Sequence, residues 1–132
     1  MILDSSAVVA ILHREEGSEA LRRRLAEEDV SRISAANWLE AAIIIDARGD
    51  AAARADFDGF FPKFDIAIEP VTAELAAGAR RAYRDWGKGS HPARLNFGDC
   101  FAYALARTRG EPLLFKGDDF ARTDIEPALK KS

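Results

Sequence analysis

The chain has 132 residues, 48% apolar and 31% charged, with a formal net charge of −3. That length suits one domain with one sizeable core, and the composition excludes intrinsic disorder. The single cysteine, Cys100, excludes an internal disulfide and a cysteine-rich zinc site, and the acidic balance excludes nucleic-acid binding by overall charge alone; any such contact needs a local basic patch or a metal.

Met1 to Leu3 reads as a short buried strand that ends at Asp4. It carries no basic segment or signal-peptide pattern, so a cytoplasmic protein is expected. Ser5 to Leu12 offers the apolar face of a helix, and after the break at Gly17, Ser18 caps a second helix to about Glu28. Val30 to Ile33 is a second strand. Ser34 caps a helix running to Arg48, where Gly49 ends it. Within it, Trp38 to Ile45 is apolar on nearly every side, which predicts a mostly buried helix but is far too short to span a membrane.

A further helix covers Ala51 to Phe61 and stops at Pro62. Phe64 to Ile68 alternates as a third strand, with Phe64, Ile66 and Ile68 on one face. Thr72 caps a helix to about Trp86, and Gly87 to Pro92 is a loop. Asn96 opens a helix through about Arg107. Leu113 to Phe115 is a fourth strand, and Ile125 is a candidate for a short fifth. Strands alternating with helices predict an α/β fold: a central, mainly parallel sheet of four to five strands between two helical layers. Ligands of such sheets bind beyond the carboxyl ends of the strands.

Acids gather at those ends. Asp4 follows strand one, Glu40 lies in the helix after strand two, Asp99 is in the first turn of the helix at Asn96, and Asp118-Asp119 follow strand four. Crowded carboxylates repel, and a divalent cation relieves the repulsion. Oxygen ligands of this hardness suit Mg²⁺ or Mn²⁺, which activates water and polarises a phosphoryl oxygen. Each acid also has a structural reading. Asp4 can cap the helix at Ser5, and Asp99 can close a capping box with Asn96. Asp118 and Asp119 can be turn formers. Glu40 is the least easily dismissed: as the only charge in the apolar stretch Trp38 to Ile45 it needs a cation, either a basic side chain or a metal.

Other residues carry weaker signals. His13 and His91 are isolated and suit surface or loop positions. Cys100, without a local histidine, suits packing, and Trp38 and Trp86 suit a core or interface. Gly87-Lys88-Gly89-Ser90 lacks the spacing of a phosphate loop. Between Arg80 and Arg94 the chain holds Arg80, Arg81, Arg84, Lys88 and Arg94 against Asp85 alone. That excess is either a phosphate-binding rim or a solvated helix face.

Four motifs in order resemble the PIN-domain ribonucleases, specifically the VapC type of toxin from bacterial type II toxin–antitoxin pairs. They are Met1-Ile2-Leu3-Asp4-Ser5-Ser6-Ala7, Glu40, Leu95-Asn96-Phe97-Gly98-Asp99-Cys100, and Leu113-Leu114-Phe115-Lys116-Gly117-Asp118-Asp119-Phe120 with Thr123-Asp124-Ile125. The resemblance covers almost the whole length and implies a single PIN domain over 1–132. It implies a Mg²⁺- or Mn²⁺-dependent endoribonuclease that releases a 3′-hydroxyl and a 5′-phosphate, acting as a growth-inhibiting toxin. Asp4 and Asp99 would be the main metal ligands, supported by Ser6. Glu40 would complete the site directly or through water. Many relatives carry Asn where this chain has Asp118, which favours Asp119 as the family acid and leaves Asp118 as an extra charge. Homodimers and a cognate VapB-like antitoxin are also implied.

Three other readings compete. A haloacid-dehalogenase-like phosphatase needs a second aspartate two residues after the first, where this chain has Ser6. A receiver domain needs a phosphoacceptor after strand three, where this chain has Glu69-Pro70. The third is a catalytically inactive binding module on the same fold.

Overall fold

The computed structural model describes residues 1–89 and 91–130. Its elements run β1 (Ile2–Leu3), α1 (Ser5–Leu12), α2 (Ser18–Ala26), β2 (Ser31–Ser34), α3 (Ala35–Asp46), α4 (Ala51–Lys63), β3 (Ile66–Glu69), α5 (Ala73–Trp86), α6 (Phe97–Arg109) and β4 (Leu113–Leu114), followed by a 3-10 turn at Asp119–Arg122. All strand pairs are parallel, in the order β3-β2-β1-β4. Ile2 pairs with Arg32 on one side and Leu113 on the other. At Ile125 no fifth strand forms. Two residues on, Pro127 makes an isolated bridge with Leu113, and proline has no N–H with which to extend a ladder.

Alternation along the strands builds two cores. Met1, Leu3, Ile33, Ile66 and Leu114 pack with Val8, Leu25, Ile45 and Phe57 from the first four helices. Ile2 and Leu113 face the other way, onto Leu75, Leu95 and Leu105 from α5, α6 and the segment between them. These are the three layers expected of α/β/α architecture. Helix starts follow the side chains that can satisfy free backbone N–H groups. Asp4, Ser34, Asp50, Thr72 and Asn96 all cap in this way.

Three expectations are corrected. Helix α4 runs through Pro62 to Lys63. Phe57, Phe60, Phe61 and Phe64 stack in sequence with ring centroids 5.0–5.4 Å apart, and that packing holds the last turn despite the missing N–H. Phe64 therefore caps α4 instead of starting β3, and Asp65 reverses the chain at φ 53°. Ile66 is buried but Ile68 is exposed, because β3 is an edge strand that outruns its helical cover. Helix α3 is not mostly buried either: Leu39, Ile43 and Ile44 are 53%, 59% and 42% exposed, while Asn37, Ala41, Ala42 and Ile45 face inward. Among the described residues no helix is long and apolar enough to cross a membrane.

Ile33 is fully buried between β1 and β3. Ile33→Ala is expected to lower unfolding free energy by about 2–5 kcal/mol in denaturant titration, from lost burial plus the cavity left behind.

Candidate active site

The sheet order places a topological switch between β1 and β4. From β1 the chain moves outward through β2 and β3, then returns to add β4 on β1's other side. Crevices form at such points, beyond the carboxyl ends of the strands. Asp4 stands there, its N–H donating to the Leu114 carbonyl at 3.0 Å. It is 2% exposed. One carboxylate oxygen accepts the Ser6 N–H at 3.0 Å and caps α1, while the other, Oδ1, is buried without a partner. Asp99, 7% exposed, repeats this economy at the start of α6. Its Oδ2 accepts the Asn96 N–H at 3.1 Å, and its own N–H donates to Asn96 Oδ1 at 2.9 Å. Both cap readings therefore hold, and neither uses the whole carboxylate.

Glu40 reaches the same region from α3. It is half-buried, pairs with no cation among the described residues, and accepts a hydrogen bond from the Ser5 hydroxyl. Gly98 makes room for it: a Cβ there would stand 2.7 Å from the Glu40 carboxyl carbon. Asn37, one turn before Glu40 and fully buried, donates to the Gly98 carbonyl at 2.9 Å and ties α3 to α6. No motif reading singles out Ser5, Gly98 or Asn37. The available signals are a glycine inside a helix, which marks close approach, and a polar pair at i, i+3 on an apolar helix.

The closing acids are held more openly. Gly117 turns the chain at φ 102°, a left-handed conformation that glycine adopts without penalty. Buried Phe120 anchors the segment against Phe115, with ring centroids 5.1 Å apart. Ser6 joins this segment to α1, its hydroxyl accepting the Lys116 N–H at 3.0 Å. Asp118 and Asp119 are exposed and line a cleft of about 570 Å³ with Pro92, Ala93, Arg94 and Arg122. Thr123 and Asp124 tie the turn down. The Thr123 hydroxyl donates to the Phe120 carbonyl at 2.7 Å, and Asp124 accepts from the Tyr103 hydroxyl, which also accepts from Trp86 Nε1 at 3.0 Å.

Burial and like charge set the electrostatics. Desolvation pushes Asp4 from 3.8 up to about 6; Ser6 opposes the rise and the Glu40 charge adds to it. Asp99 rises from 3.8 to about 7 by desolvation, opposed by its bond to Asn96, with the charges of Asp4, Asp119 and Glu40 pushing upward. Four acids from four segments thus act on one another. The charge of Asp119, from the closing pair, is among those that raise Asp99. Among the described residues no group of three acid, histidine or cysteine side chains forms a ready-made metal cage. That still fits a hard divalent ion, which keeps several waters and uses one or two carboxylates. The unpartnered Oδ1 of Asp4 and the two raised carboxylates are what such an ion would satisfy.

The weaker candidates resolve as follows. Cys100 is buried, its thiol pushed up to about 11 by desolvation and the Asp99 charge, so it packs and does not attack. His91 belongs to a loop as expected: Nδ1 accepts the Ala93 N–H at 2.9 Å and the ring packs on Trp86. His13 sits in the turn that follows α1, half-buried, with Nε2 enclosed. Ser90 of the glycine loop lies outside the described residues. The basic run does not form one rim: Arg94 lines the acidic cleft, while Arg80 lines a separate apolar groove with Tyr83, Phe97 and Phe101.

A family model of the PIN domain matches residues 1–126. The chain belongs to the PIN-domain family. Its curated relatives within that family are VapC ribonucleases. It is 47% identical to ribonuclease VapC28 of Mycobacterium tuberculosis over 99% of both chains. With ribonuclease VapC of Mycolicibacterium smegmatis it shares 45% identity over 95% of this chain and 97% of that one. Among solved structures, the M. tuberculosis sarcin-ricin loop cleaving toxin VapC20 superposes with a TM-score of 0.75 at 19% identity, covering 94% of this chain and 95% of that one. A toxin–antitoxin complex from Klebsiella pneumoniae contains a chain that matches with a TM-score of 0.69 at 14% identity, covering 93% and 92%. At those identities the structures speak for the fold alone. The PIN-like fold expected from the motifs is the fold observed.

The raised carboxylates carry a stability signature. Asp4 titrates near 3.8 unfolded and about 6 folded, so the folded state takes up the extra proton between those values. Stability contributed by this group is greatest at low pH and is lost as pH rises through about 6, by about 3 kcal/mol. In chelator, Asp4→Asn is expected to stabilise the protein at pH 8 by that order and to have little effect near pH 4, as read by urea midpoints of parent and variant.

Proposed function

We propose that this PIN-domain protein is a Mg²⁺- or Mn²⁺-dependent endoribonuclease that serves as the toxin of a toxin–antitoxin pair. The observation that carries the proposal is the convergence of buried Asp4 and Asp99 at the switch point, one with an orphaned oxygen and both with raised pKa values. Asp4 and Asp99 would hold the ion, Glu40 and Asp119 would complete its surroundings directly or through water, and Asp118 would add charge nearby. When bound, the ion polarises a phosphoryl oxygen and eases deprotonation of water.

The chain's own groups do the rest. The Ser5 hydroxyl and the space at Gly98 fix the Glu40 carboxylate facing the site, where it orients the attacking water and accepts its proton. The water oxygen attacks phosphorus in line, and the bond to the 3′-oxygen breaks. The 3′-oxygen takes up a proton, leaving a 3′-hydroxyl and a 5′-phosphate. The VapC ribonuclease relatives support RNA as substrate.

The toxin–antitoxin complex among the structural neighbours supports a VapB-like antitoxin as partner. The exposed apolar strip Leu39, Ile43 and Ile44 on α3 suits a protein contact, either the antitoxin or a second copy in a homodimer. The proposed compartment is the cytoplasm.

Cleavage of defined RNAs with Mg²⁺ or Mn²⁺, with and without chelator, tests the reading. Asp99→Ala is expected to slow cutting by about 10²-fold or more while the circular dichroism spectrum is unchanged. Equal cutting in chelator sinks the metal, and absence of any cutting returns the chain to an inactive binding module. Gly98→Ala is a finer probe. The three atoms nearest the added methyl all belong to the Glu40 carboxylate, the far end of a flexible side chain, so the fold should survive while the displaced carboxylate lowers the turnover rate.

A further inference from the structure

We infer that Arg94 and Arg122 form a phosphate-binding subsite that seats the RNA backbone beside Asp119; the inference rests on the ribonuclease reading above. The two arginines come from segments far apart in sequence and line the same cleft as Asp118 and Asp119. Both are exposed. Neither forms an ion pair among the described residues, so both guanidinium groups are available to a ligand. Arg122 makes one long contact, to the Pro92 carbonyl at 3.4 Å, which draws its guanidinium toward the Arg94 loop.

The loop that carries Arg94 is braced. Lys88 N–H donates to the Leu95 carbonyl at 2.9 Å and Leu95 N–H to the Trp86 carbonyl at 3.0 Å, closing its base. His91 packs on Trp86 and caps the Ala93 N–H, and the Arg94 N–H closes a turn onto His91 at 3.0 Å. Arg94 itself sits at φ 57°, a left-handed conformation that a non-glycine residue adopts only when its surroundings impose it. Ala93 and Leu95 on either side are buried, so the strained residue projects from a fixed frame. Asn96 follows two residues later and forms the capping box with Asp99, so the backbone that carries Arg94 runs directly into the start of α6 and its buried acid.

Two unpaired guanidinium groups bordering a carboxylate cluster suit a ligand that is itself anionic and needs both. A phosphodiester strand meets this description: one phosphate lies at the acids with their ion, and the neighbouring phosphate lies on the arginines, which bind it bidentately. The two arginines supply the local cationic contact that an acidic chain needs to hold a nucleic-acid backbone. Arg94 and Arg122 are positioning residues in this scheme.

The test uses parent protein, Arg94→Ala, Arg122→Ala and Arg94→Lys with a fluorescein-labelled single-stranded RNA. Binding is followed by anisotropy in chelator across a salt series, and cleavage kinetics are measured with Mg²⁺. Each alanine variant is expected to weaken binding several-fold and to reduce the log–log salt slope by about 0.7, while the lysine variant retains the slope. KM should rise several-fold with kcat changed less. A parent that cuts RNA while the alanine variants keep its slope and KM overturns the subsite and leaves the ribonuclease reading intact. Arginine-dependent binding by a parent that cuts nothing supports the subsite and removes the ribonuclease reading. A parent that neither binds nor cuts removes both.

Discussion

The structure turns on carboxylate groups that are withdrawn from water without being given a counter-charge. Asp4 and Asp99 lie at the carboxyl edge of the sheet, where β1 ends and α6 begins, and each is nearly sealed from solvent. Proteins that bury an acid for stability alone pair it with a cation or surround it with donors. Here each receives donors for one oxygen, through a helix cap, and is left exposed to the field of its neighbours. The helix cap engages one oxygen of each side chain, so local structure is gained while part of the carboxylate stays free of it.

Much of the remaining architecture follows from the need to hold those charges close. The parallel sheet sets Asp4 beside the segment after β4, with the Asp4 N–H bonded to Leu114. Asn37 grips the Gly98 carbonyl and draws α3 onto α6, and the absent Cβ of Gly98 admits Glu40 to the gap. The Trp86–Tyr103–Asp124 chain of hydrogen bonds secures the end of the closing motif against α6. Like charges repel across these contacts, and two independent cores, one on each face of the sheet, supply the burial that opposes the repulsion.

The basic residues show why charge patterning is read poorly along a chain. Arg80 and Arg94 belong to one run in sequence, yet a helix and a braced loop send them to different grooves. Arg122, within the span of the closing motif, joins Arg94 instead. Surface electrostatics depend on which side chains share a cleft, and contiguous sequence is a weak guide to that.

Several features were legible in the residues alone. Alternation of short apolar runs with capped helices specified a parallel three-layer fold, because capping side chains and strand periodicity act over a few residues. The motifs at Asp4, Asp99 and Asp118-Asp119 marked the candidate site, since each acid directly follows a strand or opens a helix. What only the tertiary structure decided is which surfaces are covered. Helix α3 looked buried by composition, but Leu39, Ile43 and Ile44 project away from the sheet, and Ile68 lies on an edge strand beyond its helix. Burial belongs to packing between elements. So do the contacts of Ser5 and Gly98 with Glu40, which join segments 35 and 58 residues apart: a glycine inside a helix signals close approach but does not say to what.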